Sequence, residues 1–289
     1  MTPPVEARDI LVPATRRLTA AGIEGAALDS RLLLAAAIGR EDAVLPHETI
    51  SGFDDEVAAR FAAFLDRRAA GEPVSRIRGW REFWSLRFDL SPATLDPRAD
   101  SETLVITALE EFDAKRDMPL RMLDLGCGTG ALLLACLAEF TAATGCGIDI
   151  DARAVDTAQG NADRLGLGRR ATFLQGDFAD PQVGGTGFDL VLCNPPYIPA
   201  AEIATLAPDV ALYDPHRALD GGEDGLECWR DVLPRIAAGL APEGRALVEI
   251  GAGQEQAVAM LARGAGLAAT RQVRDLGGIL RCLVLQHPA

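Results

Sequence analysis

Met122-Leu123-Asp124-Leu125-Gly126-Cys127-Gly128-Thr129-Gly130 carries an apolar strand into a glycine turn, and Ala131-Leu132-Leu133-Leu134-Ala135-Cys136-Leu137 follows as a helix. Glycines permit the tight turn and let a ligand approach the backbone, while the helix N-terminus offers unpaired N–H groups. Nineteen residues after Gly130, Asp149 ends the next strand in Gly147-Ile148-Asp149, where an acid can accept both hydroxyl protons of a ribose. The pair predicts a nucleoside-containing cofactor. It does not separate NAD from S-adenosylmethionine, because Gly126, Gly128 and Ala131 loosely satisfy the dinucleotide spacing as well. Asp124 has two readings: it orients the loop or lies near a sulfonium, or it hydrogen-bonds the turn.

Outward from this loop, strand patterns recur at Arg121 to Leu125, Gly145 to Asp149, Thr172 to Gln175, Asp189 to Cys193, Arg245 to Ile250, Ala269 to Val273 and Leu280 to Leu285. Helical segments separate most of them. That alternation predicts an α/β fold, a mainly parallel seven-stranded sheet with helices on both faces and the ligand at the strand ends. Gln175-Gly176-Asp177-Phe178 closes the third strand, where Asp177 can accept from an adenine amino group and Phe178 can lie against its ring.

The first seventy or so residues repeat apolar positions at helical intervals and predict a small bundle, with Asp29 or Ser30 capping the second helix and Ser51 the third. Gly39 and Gly71 mark helix ends. Glu82-Phe83-Trp84-Ser85-Leu86-Arg87-Phe88-Asp89-Leu90 reads as a hairpin or an extended linker. The resulting division is 1–72 helical domain, 73–99 hairpin linker and 100–289 α/β domain.

Of 289 residues, 28 are Lys or Arg and 42 Asp or Glu, a formal charge of −14, which disfavours a purely electrostatic grip on nucleic acid. Arg60, Arg67, Arg68, Arg76, Arg78, Arg81, Arg87 and Arg98 make the hinge locally cationic, as a solvated face or a grip on a partner does. No apolar run approaches the roughly 18–20 residues that span a bilayer, and the N-terminus lacks a signal-peptide pattern, so the expected location is the cytoplasm. The six cysteines form no C-x-x-C pair and His47, His216 and His287 have no ligand spacing, so no metal is expected. Cys127 and Cys193 read as small apolar filling, since no His lies in either motif.

The fourth strand of the unit ends Cys193-Asn194-Pro195-Pro196-Tyr197. Two prolines remove two N–H donors and leave carbonyls as the available polar groups. The Asn194 side-chain oxygen and the Pro195 carbonyl can together accept both protons of a planar NH2 group, and Tyr197 can stack on its plane. Such a nitrogen is a poor nucleophile because its lone pair is delocalised. Acceptors that hold its protons and aim its density at a methyl sulfonium reduce that deficit. Methyl transfer with S-adenosylhomocysteine leaving fits this set; NAD chemistry does not.

These motifs resemble class I S-adenosylmethionine-dependent methyltransferases, whose domain is Rossmann-like, and the tetrapeptide resembles that of enzymes acting on adenine N6, guanine N2 or a glutamine amide. The helical domain, Pro73-Val74-Ser75-Arg76-Ile77-Arg78-Gly79, the hairpin, Leu95-Asp96-Pro97-Arg98-Ala99-Asp100-Ser101-Glu102-Thr103 and Tyr213-Asp214-Pro215-His216-Arg217-Ala218-Leu219-Asp220-Gly221-Gly222 narrow the likeness to the HemK/PrmC family. The resemblance implies methylation of the glutamine N5 in the Gly-Gly-Gln motif of class 1 peptide chain release factors. It implies that Gly126, Cys127, Gly128, Thr129, Gly130, Asp149, Phe178 and Asn194 hold the cofactor, and that Asn194, Pro195, Pro196 and Tyr197 are catalytic and hold the glutamine amide. The charge and the short apolar runs go with no direct nucleic-acid substrate and no membrane partner, and the expected state is a monomer. The chain departs from the family's usual pattern at Leu95 to Glu102 and at Arg76, which bears on peptide contacts. Arg98 and Glu102 are either a structural ion pair or cap, or substrate contacts.

Alternatives are an amino-nitrogen methyltransferase acting on a flipped base, a glutamine methyltransferase acting on a ribosomal protein, and a cofactor-binding module without activity.

Overall fold

The computed structural model describes residues 3–180 and 183–288. By contact density the chain forms two compact units, Met1–Trp80 with Ala207–Tyr213, and Arg81–Leu206 with Asp214–Ala289. The segment 207–213 thus groups with the N-terminal helices although it lies far along the chain.

The first unit packs α1 (Ala7–Ala20), α2 (Ala26–Ala37) and α3 (Asp55–Ala69) around Leu11, Leu18, Leu33, Leu34, Phe61 and Leu65, with the short α4 (Val74–Arg78) beside them. A two-residue pair, β1 (Val5–Glu6) with β2 (Thr49–Ile50), runs antiparallel. The expected caps are displaced. Gly25 holds the cap position of α2, so Asp29 and Ser30 fall inside the helix: Asp29 takes the Arg68 guanidinium at 2.7 Å, and the Ser30 hydroxyl bonds back to the Ala26 carbonyl at 2.7 Å. A hydroxyl already satisfied in this way cannot cap. The cap of α3 is Asp54, not Ser51, because its Oδ1 accepts the Val57 N–H at 3.0 Å.

The hairpin of β3 (Trp80–Phe83) and β4 (Leu86–Asp89), which belongs to the second unit from Arg81 onward, turns at Trp84 and Ser85, with φ of 54° and 55°. After α5 (Glu102–Glu111) come β5 (Arg121–Leu125), α6 (Ala131–Glu139), β6 (Thr144–Asp149), α7 (Ala152–Arg164), β7 (Ala171–Gln175) and β8 (Phe188–Cys193). The short α8 (Ala200–Ile203) and α9 (Pro208–Tyr213), the latter grouped with the first unit, precede α10 (Glu227–Gly239), β9 (Leu240–Glu249), α11 (Glu255–Gly264), β10 (Ala268–Arg274) and β11 (Leu280–Gln286). The seven-stranded sheet has the order β10-β11-β9-β8-β5-β6-β7; β11 is antiparallel to both neighbours and the rest are parallel.

Period-2 alternation sorts β5 between two cores. Met122 packs with Leu104, Leu133, Leu134 and Phe140 on one face, while Leu123 and Leu125 pack with Trp229, Val232, Leu233 and Ile236 on the other. Asp124 therefore points to the face of Met122, the face covered by α5 and α6. β9 begins five residues before the expected start, since Pro242 and Gly244 interrupt the apolar pattern at its first half.

Candidate active site

Because β5, β6, β7 and β8 are parallel, their carboxyl ends share one rim, and a cavity of about 820 Å³ opens there. Its wall takes Gly126, Cys127, Gly128 and Thr129 from the turn after β5, Asp149 from the end of β6, Asp177 and Phe178 after β7, and Asn194 and Pro196 after β8. Gly130, Pro195 and Tyr197 stand behind this wall and do not line it.

The turn is built by glycine conformations that side chains rarely adopt: φ is 76°, 54° and 77° at Gly126, Gly128 and Gly130. Gly130 also needs the missing side chain for space, since a Cβ there would lie 3.1 Å from Phe173 and 3.2 Å from Ala158. The ring of Phe178 lies over Gly126, 3.7 Å from where its Cβ would be. Asp149 Oδ2 accepts the Gly128 N–H at 2.9 Å and Oδ1 accepts the Asp151 N–H at 3.0 Å. A carboxylate has about four acceptor sites, so capacity remains for two ligand hydroxyls. Burial raises the Asp149 pKa, and those backbone bonds oppose the rise.

Asp124 lies in the wall only 1% exposed, and neither carboxylate oxygen reaches a partner at hydrogen-bond geometry. Burial, aided by the charge of Asp149 and opposed by the nearby Leu133 N–H at the start of α6, pushes its pKa up to about 7. An unpartnered buried carboxylate is costly unless a ligand completes it. Cys127 and Cys193 are buried too, and burial drives both thiols up, so they remain protonated.

The Asn194 Nδ2 donates to the Ser101 hydroxyl at 3.2 Å, and Oδ1 accepts from no donor among the described residues. Tyr197 is held at both ends. Its hydroxyl donates to Glu249 Oε1 at 3.2 Å, and its carbonyl accepts from Gln254 Nε2 at 2.9 Å. Burial, together with the Glu249 charge, moves the Tyr197 phenol well above its ordinary range.

Backbone from residues 219–225 presses against this tyrosine: Ile198 N–H donates to the Leu219 carbonyl at 3.1 Å and Gly221 N–H to the Ile198 carbonyl at 2.8 Å. A Cβ on Gly221 would lie 2.8 Å from the Tyr197 Cα, and one on Gly225, whose φ is 72°, would lie 2.6 Å from the Tyr197 carbonyl oxygen. Gly225→Ala is therefore expected to destabilise the fold by about 1–3 kcal/mol and to displace Tyr197. Denaturant unfolding checks the first effect; an alanine variant as stable as the parent contradicts this packing.

Arg98 lines the cavity and is ion-paired with Asp214, a carboxylate that also accepts the Asp96 N–H at 3.3 Å. Glu102 Oε1 accepts the Trp84 N–H at 2.8 Å and so holds the strained hairpin turn. Asn161, fully buried on α7, ties that hairpin to the glycine loop: its amide exchanges bonds with the Asp89 backbone at 2.8 and 3.1 Å and donates to the Thr129 carbonyl at 3.0 Å. Sequence reading gave no role to Asn161, Glu249 or Gln254, and named Ser101, His216 and Arg217 only within the stretches that carry the resemblance, without placing them at the cavity wall. One signal was present for Glu249, an acid closing the apolar run Ala246-Leu247-Val248. Among the described residues no cluster of His, Cys, Asp and Glu is placed to hold a metal, and no helix is long and apolar enough to cross a membrane.

Comparison with known proteins covers both halves. Residues 9–79 match the family described as PrmC N-terminal domain, and residues 117–252 match the one described as methyltransferase domain. The chain is 45% identical over 269 residues to a protein of Bradyrhizobium diazoefficiens named release factor glutamine methyltransferase, covering 92% of this chain and 90% of that one. It is 43% identical over 287 residues to the protein of the same name from Cereibacter sphaeroides, covering 99% of this chain and 100% of that one. Among solved structures, the catalytic domain of hMettl16, in complex with a MAT2A 3′UTR hairpin, shares the fold at a TM-score of 0.56 and 15% identity, covering 86% of this chain and 87% of that one.

Proposed function

Because the chain belongs to the release factor glutamine methyltransferase family, we propose that it methylates the side-chain amide nitrogen, N5, of the glutamine in the Gly-Gly-Gln motif of class 1 peptide chain release factors, with S-adenosylmethionine as donor. The observation that carries the reading is the single cavity in which Asn194 and Pro196 face the glycine turn and Asp149. On this reading the enzyme works as a monomer in the cytoplasm, and its N-terminal helices dock the folded substrate protein.

When bound, S-adenosylmethionine supplies a methyl group on a sulfonium cation. The residues present suit it. Gly126, Cys127, Gly128, Thr129 and Gly130 provide the turn and the start of α6, Asp149 has acceptor capacity for ribose hydroxyls, and Phe178 offers a ring face for adenine. Asp124, buried with no partner at strict hydrogen-bond geometry, is the charge that suits a cation.

On this reading Asn194 Oδ1 at the wall and the Pro195 carbonyl, joined to the wall residue Pro196, accept the two amide protons of the glutamine and direct the nitrogen, while Tyr197, which does not line the cavity as the stacking expectation required, holds the tetrapeptide from behind through Glu249. Both acceptors develop stronger bonds as positive charge grows on that nitrogen, so they stabilise the transition state more than the ground state. The proton released after transfer passes to water or a nearby acceptor. No covalent enzyme intermediate is involved, in keeping with thiols that stay protonated.

Asp124 makes cofactor binding pH-dependent. Its folded pKa of about 7 lies above the unfolded value, so the ligand-free protein holds an extra proton between the two values. The stability this confers is complete at low pH and is lost as pH rises through about 7. A cation favours the ionised form, so affinity for S-adenosylmethionine is expected to rise between about pH 6 and about pH 8, with a proton released on binding. Asp124→Asn is expected to stabilise the ligand-free protein at about pH 8 by on the order of 2–4 kcal/mol and to weaken the cofactor about tenfold or more. Titration calorimetry and denaturant unfolding read both; a pH-independent affinity with a destabilised variant contradicts this role.

The function itself is tested by transfer of labelled methyl to a purified class 1 release factor, to its Gln→Ala variant in Gly-Gly-Gln, to unmodified tRNA and to duplex DNA, side by side. Label on the wild-type release factor alone is expected. Label on tRNA or DNA with none on protein overturns the substrate while keeping the amino-nitrogen chemistry.

A further inference from the structure

An asparagine amide can serve as an acceptor toward substrate only if something decides which of its two ends faces the cavity. Asn194 follows β8 directly, and the parallel register Cys193↔Val248 sets it beside Glu249, which ends β9. Glu249 is 2% exposed. It takes the Tyr197 hydroxyl on Oε1 at 3.2 Å, and its other oxygen, Oε2, is buried without a partner at strict hydrogen-bond geometry. Ser101 lies close enough to lower the Glu249 pKa as a hydrogen-bond donor does, against the larger raising effect of burial.

Ser101 occupies the residue before α5, the position where a serine side chain ordinarily caps the helix. Here it makes no cap bond, since its own backbone is already helical, with φ −68° and ψ −17°. Its hydroxyl is instead 3.2 Å from Asn194 Nδ2, and the residue is 5% exposed in the cavity wall.

We propose that Ser101 is a positioning residue that sets the polarity of the Asn194 amide: its hydroxyl proton is drawn to the buried Glu249 carboxylate, its lone pairs accept the Asn194 Nδ2–H, and Asn194 Oδ1 is thereby left for the substrate nitrogen. The assignment rests on the proposed role of Asn194 as acceptor for the glutamine amide. With Glu249 ionised, the acid offers only acceptors, and the chain of bonds then runs one way, from Asn194 through Ser101 to Glu249. On this proposal the reversed amide would turn its oxygen to a hydroxyl whose proton is drawn toward Glu249, and its NH2 toward the substrate's own NH2. Donor would then face donor, and neither substrate proton would be held. Tyr197 ends on the same carboxylate, so one buried acid orders both polar side chains of the tetrapeptide. Arg281, on β11, reaches Asp100 at 3.2 Å and Asp275 at 3.2 Å and closes the cluster from the far side.

The test compares Ser101→Ala and Ser101→Thr with the parent protein. The expected steady-state result with a release factor is a kcat about 10- to 100-fold lower in Ser101→Ala, with KM and S-adenosylhomocysteine affinity within about twofold, and recovery of most of kcat in Ser101→Thr, which restores the hydroxyl. A residue that only packs would respond to volume, leaving threonine no better than alanine. The second readout needs no substrate: the Asn194 side-chain NH2 resonances, assigned by their loss in Asn194→Asp, are expected to exchange with solvent about tenfold faster in Ser101→Ala and to recover in Ser101→Thr. Unchanged Asn194 exchange in Ser101→Ala, or full kcat without the hydroxyl, overturns the proposal. If the parent protein leaves release factors unmethylated, the substrate reading fails and the exchange measurement alone decides the role of Ser101.

Discussion

Asn194→Ala is expected to lower kcat for methyl transfer by about 10³-fold or more, while S-adenosylhomocysteine affinity stays within about tenfold and the fold is retained. The size follows from what the side chain does. It is half of the acceptor pair that holds a delocalised nitrogen, and the remaining Pro195 carbonyl engages a single proton and leaves the nitrogen free to rotate. The fold survives because Asn194 lies beyond β8, after the sheet pairing of Cys193 with Leu125 and Val248 is complete. Asn194→Asp is the sharper comparison: it keeps an acceptor but loses the Nδ2 donor to Ser101 and adds a charge beside Glu249. It too is expected to be severely impaired. Steady-state kinetics with a release factor and calorimetric titration with S-adenosylhomocysteine check both. An alanine variant within about tenfold of the parent kcat contradicts the assignment of this side chain to catalysis.

Asp149→Ala is expected to weaken S-adenosylmethionine by about 10²-fold or more, corresponding to roughly 3 kcal/mol. Two losses combine. The ligand loses its ribose acceptor, and the Gly128 and Asp151 N–H groups, now bonded at 2.9 and 3.0 Å, lose theirs. The second loss loosens the glycine turn before any ligand arrives, since Asp149 is the strut between the ends of β5 and β6. Asp149→Asn keeps one acceptor oxygen and is expected to fall between, because its NH2 cannot receive the second backbone N–H. The same titration reads the effect, and saturating cofactor should restore much of kcat, since the acceptors for the substrate nitrogen are untouched. Loss of kcat that no cofactor concentration restores contradicts the separation of the two subsites.

The glycine turn, the acid after β6 and the tetrapeptide after β8 were legible because each is a local feature: a strand, a break and a residue type at a fixed offset. The sheet was legible for the same reason, as its apolar strands alternate with helical segments at regular spacing. The two-residue strands β1 and β2 were not, since a pair as short as Val5–Glu6 and Thr49–Ile50 carries no periodicity. The cap residues were misplaced because Asp29 is engaged by Arg68, 39 positions away, and a distant partner leaves no local mark. Supporting residues of the site were hidden in the same way. Ser101 meets Asn194 across 93 positions, Tyr197 meets Glu249 across 52, and Asn161 meets Asp89 across 72. Nothing local marks Gly221 and Gly225 either, and only the nearness of the Tyr197 backbone shows that a side chain there would collide. Arg98 and Glu102 read equally as substrate contacts or structural bonds, and the structure gives them Asp214 and the Trp84 N–H.

The most direct test of the central claim is tandem mass spectrometry of an unmodified class 1 release factor incubated with this protein and S-adenosylmethionine carrying a deuterated methyl group. The account predicts one labelled methyl, on the side-chain nitrogen of the Gly-Gly-Gln glutamine, and none when Asn194→Ala replaces the parent enzyme. A labelled methyl on any other residue, or an unlabelled release factor beside labelled nucleic acid, contradicts it.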